Sequence, residues 1–125
     1  MSDERPPMWV GHIGIEVPDV AAAKQFFLAL GMRDALPKGA EIAILELRAG
    51  THLILEPTDT PVEPGTPAPF DLMVDDIKAM HDDLAARGLE VSELGAGRIH
   101  TSFTVAEPNG FVVKYNSSHN TGQPV

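Results

Sequence analysis

Gly11-His-Ile-Gly-Ile-Glu-Val-Pro-Asp-Val20 decides the fold, because much of its pattern returns 57 residues later in Phe70-Asp-Leu-Met-Val-Asp-Asp-Ile77. Each stretch predicts an apolar strand, an acidic turn and the start of a helix, and the two helices are expected to end at Gly31 and Gly88. A unit this short cannot bury the apolar face of its sheet alone, so the two copies are expected to pack together. Two equivalent sheets side by side leave a concave surface, where a functional site is expected.

The composition fits one folded domain and argues against several classes of protein. With 125 residues, of which 43% are hydrophobic and 22% charged, the chain can bury a core of ordinary size. A formal net charge of −9, without any run of Lys or Arg, argues against binding to nucleic acid or to an anionic membrane surface. The lack of cysteine excludes disulfides and thiolate chemistry. Because no signal pattern and no apolar stretch of about 20 residues occurs, we expect a cytoplasmic protein.

Hydrophobic periodicity divides this single domain into two similar modules. The first is predicted over about 8–56 and the second over about 70–116, with a proline-rich linker over 57–69 and a polar tail over 117–125. Each module reads as strand, helix and three further strands. The predicted fold class is therefore α+β, with two tandem βαβββ modules, mixed sheets and the helices on the outer faces.

Local signals predict the bounds of the individual elements. Asp19 and Asp76 are the expected N-caps of the two helices. In the first module, strands are predicted at 8–17, 32–36, 40–47 and 51–56. In the second module, they are predicted at 70–74, 89–94, 98–105 and 110–116, with turns over 95–97 and 107–110.

These segments resemble the vicinal-oxygen-chelate superfamily, which includes glyoxalases, bleomycin-resistance proteins and extradiol dioxygenases. The resemblance rests on residues 11–20 and 70–77 and on Glu107-Pro-Asn-Gly110, which is similar to the Asp-Pro-Asp-Gly hairpin of the family. It implies that the two modules form a cup, often completed by dimerisation, so a homodimer is expected. Because this fold hosts lyases, isomerases, dioxygenases and metal-free binders, the resemblance specifies the fold much better than the reaction.

In the metal-dependent members of the family, four cup positions hold one divalent ion. The resemblance places the first on His12 and the second on Ile54, with Glu56 one strand period further along. The third position falls on Pro69 and the fourth on Lys114. Proline cannot coordinate a metal, an ammonium repels a cation, and zinc sites usually have at least three protein ligands. The standard four-ligand site is therefore expected to be lost.

Alternation along the strands predicts which side chains face the cup. Ile13, Ile15 and Val17 should face the helix, and this turns His12 to the other side. The same reasoning predicts a polar concave face made of His12, Glu16, His52, Glu56, Asp71, His100, Ser102, Lys114 and Asn116. A rearranged metal site at His12, Glu56 and His100 stays open, for zinc, iron, nickel or manganese, and no other cofactor is expected.

The leading interpretation is a protein that binds a small polar or anionic organic molecule in the cup without the standard metal centre. In an enzymatic version, His12, Glu56 and His100 transfer protons, and Lys114 is the electrostatic clamp unless it pairs with Asp71. Further ligand contacts are expected from His52, Asp71, Ser102 and Asn116. Two alternatives stay open: a divalent-metal-dependent lyase, isomerase or dioxygenase with a rearranged ligand set, and a non-catalytic protein that sequesters a drug or metabolite. The tail with His119 is a candidate lid over the cup.

Overall fold

The computed structural model describes residues 4–38, 41–119 and 122–125. The predicted start of a strand at residue 40, and residues 120 and 121 of the tail, lie outside this part of the chain. The first module contains β1 (His12–Val17), α1 (Val20–Ala29), β2 (Arg33–Asp34), β3 (Ala43–Glu46) and β4 (His52–Pro57). The second contains β5 (Thr66–Val74), α2 (Ile77–Ala86), β6 (Gly95–Ala96), β7 (Thr101–Ala106) and β8 (Phe111–Ser117).

The two modules form equivalent four-stranded mixed sheets. The strand order is β1-β4-β3-β2 in one sheet and β5-β8-β7-β6 in the other. In each module, the strand that comes first in the chain pairs in parallel with the strand that comes last, and the remaining pairs are antiparallel. The prediction of an α+β fold with two βαβββ modules is confirmed. Because β1 lies beside β5, the two sheets meet along these strands.

Both helices begin at the predicted caps. The side chain of Asp19 accepts a hydrogen bond from the amide of Ala22, and that of Asp76 accepts one from Ala79, each at 3.0 Å. The described helices have ten residues each, and none is long and apolar enough to cross a membrane.

Each helix packs on the outer face of its own sheet, and one hydrophobic core joins the two modules. α1 contacts β3 and β4, and α2 contacts β7 and β8. Phe27 from α1 and Leu84 from α2 are both fully buried. The ring of Phe27 also lies 6.1 Å from that of Phe70 on β5, so the first helix reaches the second module.

Several strands differ from the predicted bounds. β1 begins at His12 instead of residue 8, and β7 begins at Thr101 instead of residue 98. β5 begins at Thr66, four residues before the predicted start, and contains Pro67 and Pro69. Proline is tolerated there because β5 is an edge strand of its sheet. The register with β8 also shifts between Pro67 and Asp71.

The strand predicted at 89–94 is wrong, since only a single bridge joins Val91 to Val105 in this segment. The hydroxyl of Ser92 accepts the hydrogen bond of the Thr104 amide at 2.9 Å, in place of a backbone carbonyl. The short edge strand forms instead at Gly95–Ala96, where a turn was predicted. A side chain has here replaced part of the backbone ladder.

Asn109, in the turn between β7 and β8, fixes the second module to the start of α1 in the first. Its Oδ1 accepts a hydrogen bond from the amide of Asp19 at 2.8 Å, and its Nδ2 donates to the Asp19 carbonyl at 3.1 Å. Nδ2 also donates to the carboxylate of Glu107 at 2.7 Å, and Glu107 is only 3% exposed. On the other side of the molecule, Arg48 and Asp75 form the corresponding contact as an exposed ion pair at 2.9 Å.

We expect Asn109→Ala to lower the free energy of unfolding by about 1–3 kcal/mol. The substitution removes hydrogen bonds from the buried carboxylate of Glu107 and from the backbone N–H and C=O of Asp19. Urea unfolding measures this change. The matched control is Arg48→Ala, which removes the corresponding exposed contact and should change stability little. Equal effects of the two substitutions would contradict the central role of Asn109.

Candidate functional site

The concave face of the first sheet carries polar side chains in register. β1 and β4 place His12 beside His52 and Glu16 beside Glu56, while the alternate residues of both strands are buried in the core. Gly14 lies between the two rows and keeps the face open there. The side chains of these two rows therefore lie on the side of the sheet opposite to α1.

One row on this face is a chain of polar contacts across all four strands. His52 Nε2 donates to a carboxylate oxygen of Glu46 at 3.2 Å, and Arg33 donates to the other oxygen. The ring centroids of His12 and His52 are 6.1 Å apart. The hydrogen bond from His52, followed by the hydrogen bond from Arg33, holds the pKa of Glu46 below its usual value. Glu46 thus remains an anion at neutral pH and orients the imidazole of His52.

The amino-terminal segment lies beside this row. Pro7, Met8 and Trp9 form a cavity of about 440 Å³ together with His12 and His52. Trp9 is 67% exposed and is the single tryptophan of the chain. Its fluorescence is therefore a direct reporter of binding next to the two histidines.

Glu56 lies away from His12, at the other end of the same strands. Its partner in the register is Glu16, and both line a cavity of about 450 Å³ with Pro67, Pro69 and Phe111. Four residues of strand, or roughly 13 Å, separate the row of Glu56 from the row of His12.

The second sheet places an opposite pair of charges on its concave face. Asp71 lies beside Lys114 in the register, and Thr104 lies on the other side of Lys114. The three residues line a cavity of about 600 Å³, and this cavity shares Pro67 and Pro69 with the cavity of Glu56. In the described part of the chain, neither Asp71 nor Lys114 forms an ion pair. Both charges are thus available to a ligand.

Asn116 lies one strand period beyond Lys114, beside Ser102 and Met73. It is only 6% exposed, although Lys114 on the same face is exposed. Its Oδ1 is fully buried and has no hydrogen-bond partner among the described residues. An unpaired buried amide oxygen is costly, and because this atom is enclosed, the structure does not place it within reach of a ligand on the concave face.

His100 lies just before β7 and contacts the tail. Its Nδ1 donates to the carbonyl of Ser117 at 2.9 Å, and its ring centroid lies 4.4 Å from that of His119. The tail therefore folds back to the end of the second sheet at this point. Whether it acts as a lid stays a prediction.

The structure does not bring His12, Glu56 and His100 to one place. His12 contacts His52, Glu56 lies beside Glu16, and His100 contacts His119. Across residues 4–38, 41–119 and 122–125, no three His, Asp or Glu side chains are grouped so that they could hold a metal ion. The donors among these described residues therefore do not fit the metal centre that the fold family implies.

Sequence reasoning missed two contributors to the polar row, Arg33 and Glu46. Alternation along β3 hinted at Glu46, which follows Ile44 by one strand period. Only the pairing of β3 with β4 and β2 shows that Glu46 lies between His52 and Arg33. No local sequence signal gives that register.

Comparison with solved structures confirms the fold. A lactoylglutathione lyase from Agrobacterium tumefaciens superimposes with a TM-score of 0.74 at 17% identity, over 95% of this chain and all (100%) of that one. TnmS3, an antibiotic-binding protein from a Streptomyces species, superimposes with a TM-score of 0.71 at 22% identity, over 91% of this chain and 98% of that one. An integron cassette protein from the mobile metagenome of a harbour sewage outfall superimposes with a TM-score of 0.73 at 17% identity, over 88% of this chain and 98% of that one.

These similarities define the class of fold, which is the glyoxalase-like fold of the vicinal-oxygen-chelate proteins. The resemblance read from the sequence is thus confirmed at the level of the fold. No protein-family model matches the chain, and no curated protein matches it by sequence. At 17–22% identity, the shared fold specifies neither ligand nor reaction.

The lowered pKa of Glu46 makes stability depend on pH in a defined direction. A carboxylate whose folded pKa is lowered stabilises the fold above its unfolded pKa, here near 4.5, and loses this contribution as the pH falls through the folded value. The stability difference between the unmodified protein and Glu46→Gln should therefore be full at pH 5 and shrink towards pH 3. Urea unfolding at several pH values measures it. A stability difference that does not change with pH would contradict the role of Glu46. When the same comparison is made in a protein that also carries His52→Gln, the dependence of this difference on pH should be weaker.

Proposed function

We propose that the protein binds a small polar organic molecule with an anionic group on the concave surface of its sheets. The observation that carries this proposal is the unpaired Lys114 ammonium, which lines a cavity of about 600 Å³ on the second sheet. Lys114 is exposed on this concave face and forms no ion pair with a described residue, so in a chain with a net charge of −9 it is a cation that can attract an anionic group.

The neighbours of Lys114 define the chemistry of the ligand more closely. An anionic group such as a carboxylate would accept hydrogen bonds from Lys114, as the electrostatic clamp. Asp71, which lines the same cavity, is an acceptor, so the same ligand should also carry N–H or O–H donors. Ser102, beside Asn116, can either donate or accept. A molecule with carboxylate and amide or ammonium groups satisfies this arrangement.

Two proteins of the same fold support a ligand of this kind. A lactoylglutathione lyase acts, by its name, on a glutathione thioester, which carries carboxylates, amides and an ammonium. TnmS3 is described as an antibiotic-binding protein. We therefore choose S-lactoylglutathione as the first probe for this chain.

Non-catalytic sequestration is the second candidate, and the separation of His12, Glu56 and His100 favours it. If the protein is an enzyme, proton transfer is best assigned to His12 and His52, since Glu46 orients His52 through a hydrogen bond. Glu56 and His100 then contact other parts of the ligand. The metal-dependent alternative requires a ligand set that the described residues do not bring together.

We further propose a homodimer. Met8, Trp9 and Val10 are consecutive and 59–70% exposed, which is costly for such large apolar side chains in an isolated protomer. Sedimentation of the unmodified chain and of Trp9→Ser tests this proposal. The cytoplasmic location stays a prediction from the sequence.

Lys114→Met should weaken binding of S-lactoylglutathione about 10-fold to 100-fold, because a hydrogen bond to a charged group contributes about 1.5–3 kcal/mol. Isothermal titration calorimetry measures this affinity. Lys78→Met is the matched control, since it makes the same charge change on α2, where Lys78 pairs with Asp82. If both variants bind as tightly as the unmodified protein, Lys114 is not the clamp. If the unmodified protein binds neither this probe nor a panel of small amino-carboxylates, the proposed ligand class is wrong.

Titration with Ni²⁺, followed by the fluorescence of Trp9, should show no saturable quenching in the micromolar range. The reason is that the nearby His12 and His52 have no third ligand of the kind that holds such an ion tightly. His12→Ala is the control for any weak signal. Stoichiometric binding that His12→Ala abolishes would instead favour the metal-dependent alternative.

A further inference from the structure

A groove lies where the two modules meet, and its apolar walls and Tyr115 are not used by the proposed function. It has a volume of about 600 Å³. Ile13, Leu30 and Met32 of the first module and Phe70, Leu72 and Met80 of the second supply most of its apolar walls. Along β1 and β5, Ile13 and Leu72 alternate with the residues that face the concave surface, so these apolar walls lie on the other side of the sheets from Lys114, and the groove adjoins the cavity of Lys114 only at Phe70 and Asp71.

A single polar group from the core reaches this groove. Tyr115 lines the groove, is only 2% exposed and stacks on Phe103 with ring centroids 5.0 Å apart. Its hydroxyl makes no hydrogen bond to any residue that the structure describes. This oxygen is not among the fully buried unpaired side-chain atoms of the described residues, so it is accessible from the groove. Burial raises the pKa of Tyr115 to about 12, so the hydroxyl stays protonated and remains a donor at neutral pH.

The charges around the groove do not favour an ionic ligand. Arg33 and Arg48 stand at its rim, and each is already in an ion pair, with Glu46 and Asp75 respectively. Asp71, a carboxylate without an ion pair among the described residues, stands where the groove adjoins the cavity of Lys114, and it disfavours an anionic ligand here. An uncharged molecule avoids competition with the two ion pairs. The apolar walls would instead contribute through burial of apolar surface.

We propose that this groove binds an uncharged, mainly apolar small molecule that carries a carbonyl group, with the Tyr115 hydroxyl donating to the carbonyl oxygen. The Tyr115 ring stacks on Phe103 in the core, and this contact positions the hydroxyl that donates the hydrogen bond. The ligand surface packs between the end of α1 and α2. The Tyr115 hydroxyl and the apolar walls of this site are not shared with the concave surface, although Phe70 and Asp71 line both cavities.

Two fluorescent probes of matched shape test the role of the hydroxyl. The first is the ketone 6-propionyl-2-dimethylaminonaphthalene, and the second is its analogue with a propyl group in place of the propionyl group. The ketone should bind to the unmodified protein with a blue shift of its emission. Tyr115→Phe removes only the hydroxyl oxygen and keeps the stacked ring, and it should weaken binding of the ketone about threefold to tenfold while leaving the propyl analogue unchanged.

The methionine methyl groups locate the bound probe independently. Met32 and Met80 line the groove, whereas Met8 lies beside His12. In the protein labelled with ¹³C at the methionine methyls, the ketone should shift the signals of Met32 and Met80 and leave that of Met8 unchanged. Lys114→Met should bind the ketone as the unmodified protein does, which separates this site from the concave surface.

Several outcomes would overturn the proposal. The ketone does not bind, or it binds equally well to Tyr115→Phe. The shifted signal is that of Met8 alone. Binding of the ketone decreases as the protein concentration rises and sedimentation shows association in parallel, in which case a second copy of the chain covers the groove.

Discussion

The fold depends on contact between the two modules, since one hydrophobic core joins them and Asn109 adds hydrogen bonds between them. A module of this size exposes one face of its sheet and the end of its helix, so its stability requires a fixed partner. Asn109 satisfies both backbone groups of the residue that caps α1 and, at the same time, the buried carboxylate of Glu107. Each of these hydrogen bonds has a preferred geometry, so together they restrict the orientation of the second sheet relative to the first.

The concave surface follows from this arrangement. Each helix covers one face of its sheet, so apolar residues at alternate positions are buried and the residues between them are left on the other face. Since β1 and β5 lie side by side, the polar faces of both modules form one continuous surface. The charged residues on this surface differ in whether they are paired. Glu46 accepts hydrogen bonds from His52 and Arg33, whereas Lys114 and Asp71 have no ion-pair partner in the described part of the chain.

Most of the fold could be predicted because its signals are local. The repeat, the caps at Asp19 and Asp76 and the alternation along β1 and β4 each depend on neighbouring residues only. The errors arose where a distant part of the chain competes with a local preference. Proline at positions 67 and 69 disfavours a strand, yet β5 tolerates both at the edge of its sheet. Ser92 is compatible with a strand, but its hydroxyl takes the place of a backbone acceptor.

The sequence by itself determined the two βαβββ modules, their caps and the residues that face away from the helices, because periodicity and capping act within a few residues. It also identified His12 and Lys114 at the positions where the fold family places metal ligands. Only the tertiary structure decided which polar residues meet: His52 with Glu46 and Arg33, and Asn109 with Asp19. It also formed the groove between the modules that Tyr115 lines. The physical reason is that strand register and the packing of two modules depend on contacts between residues far apart in the chain, for which no local pattern exists.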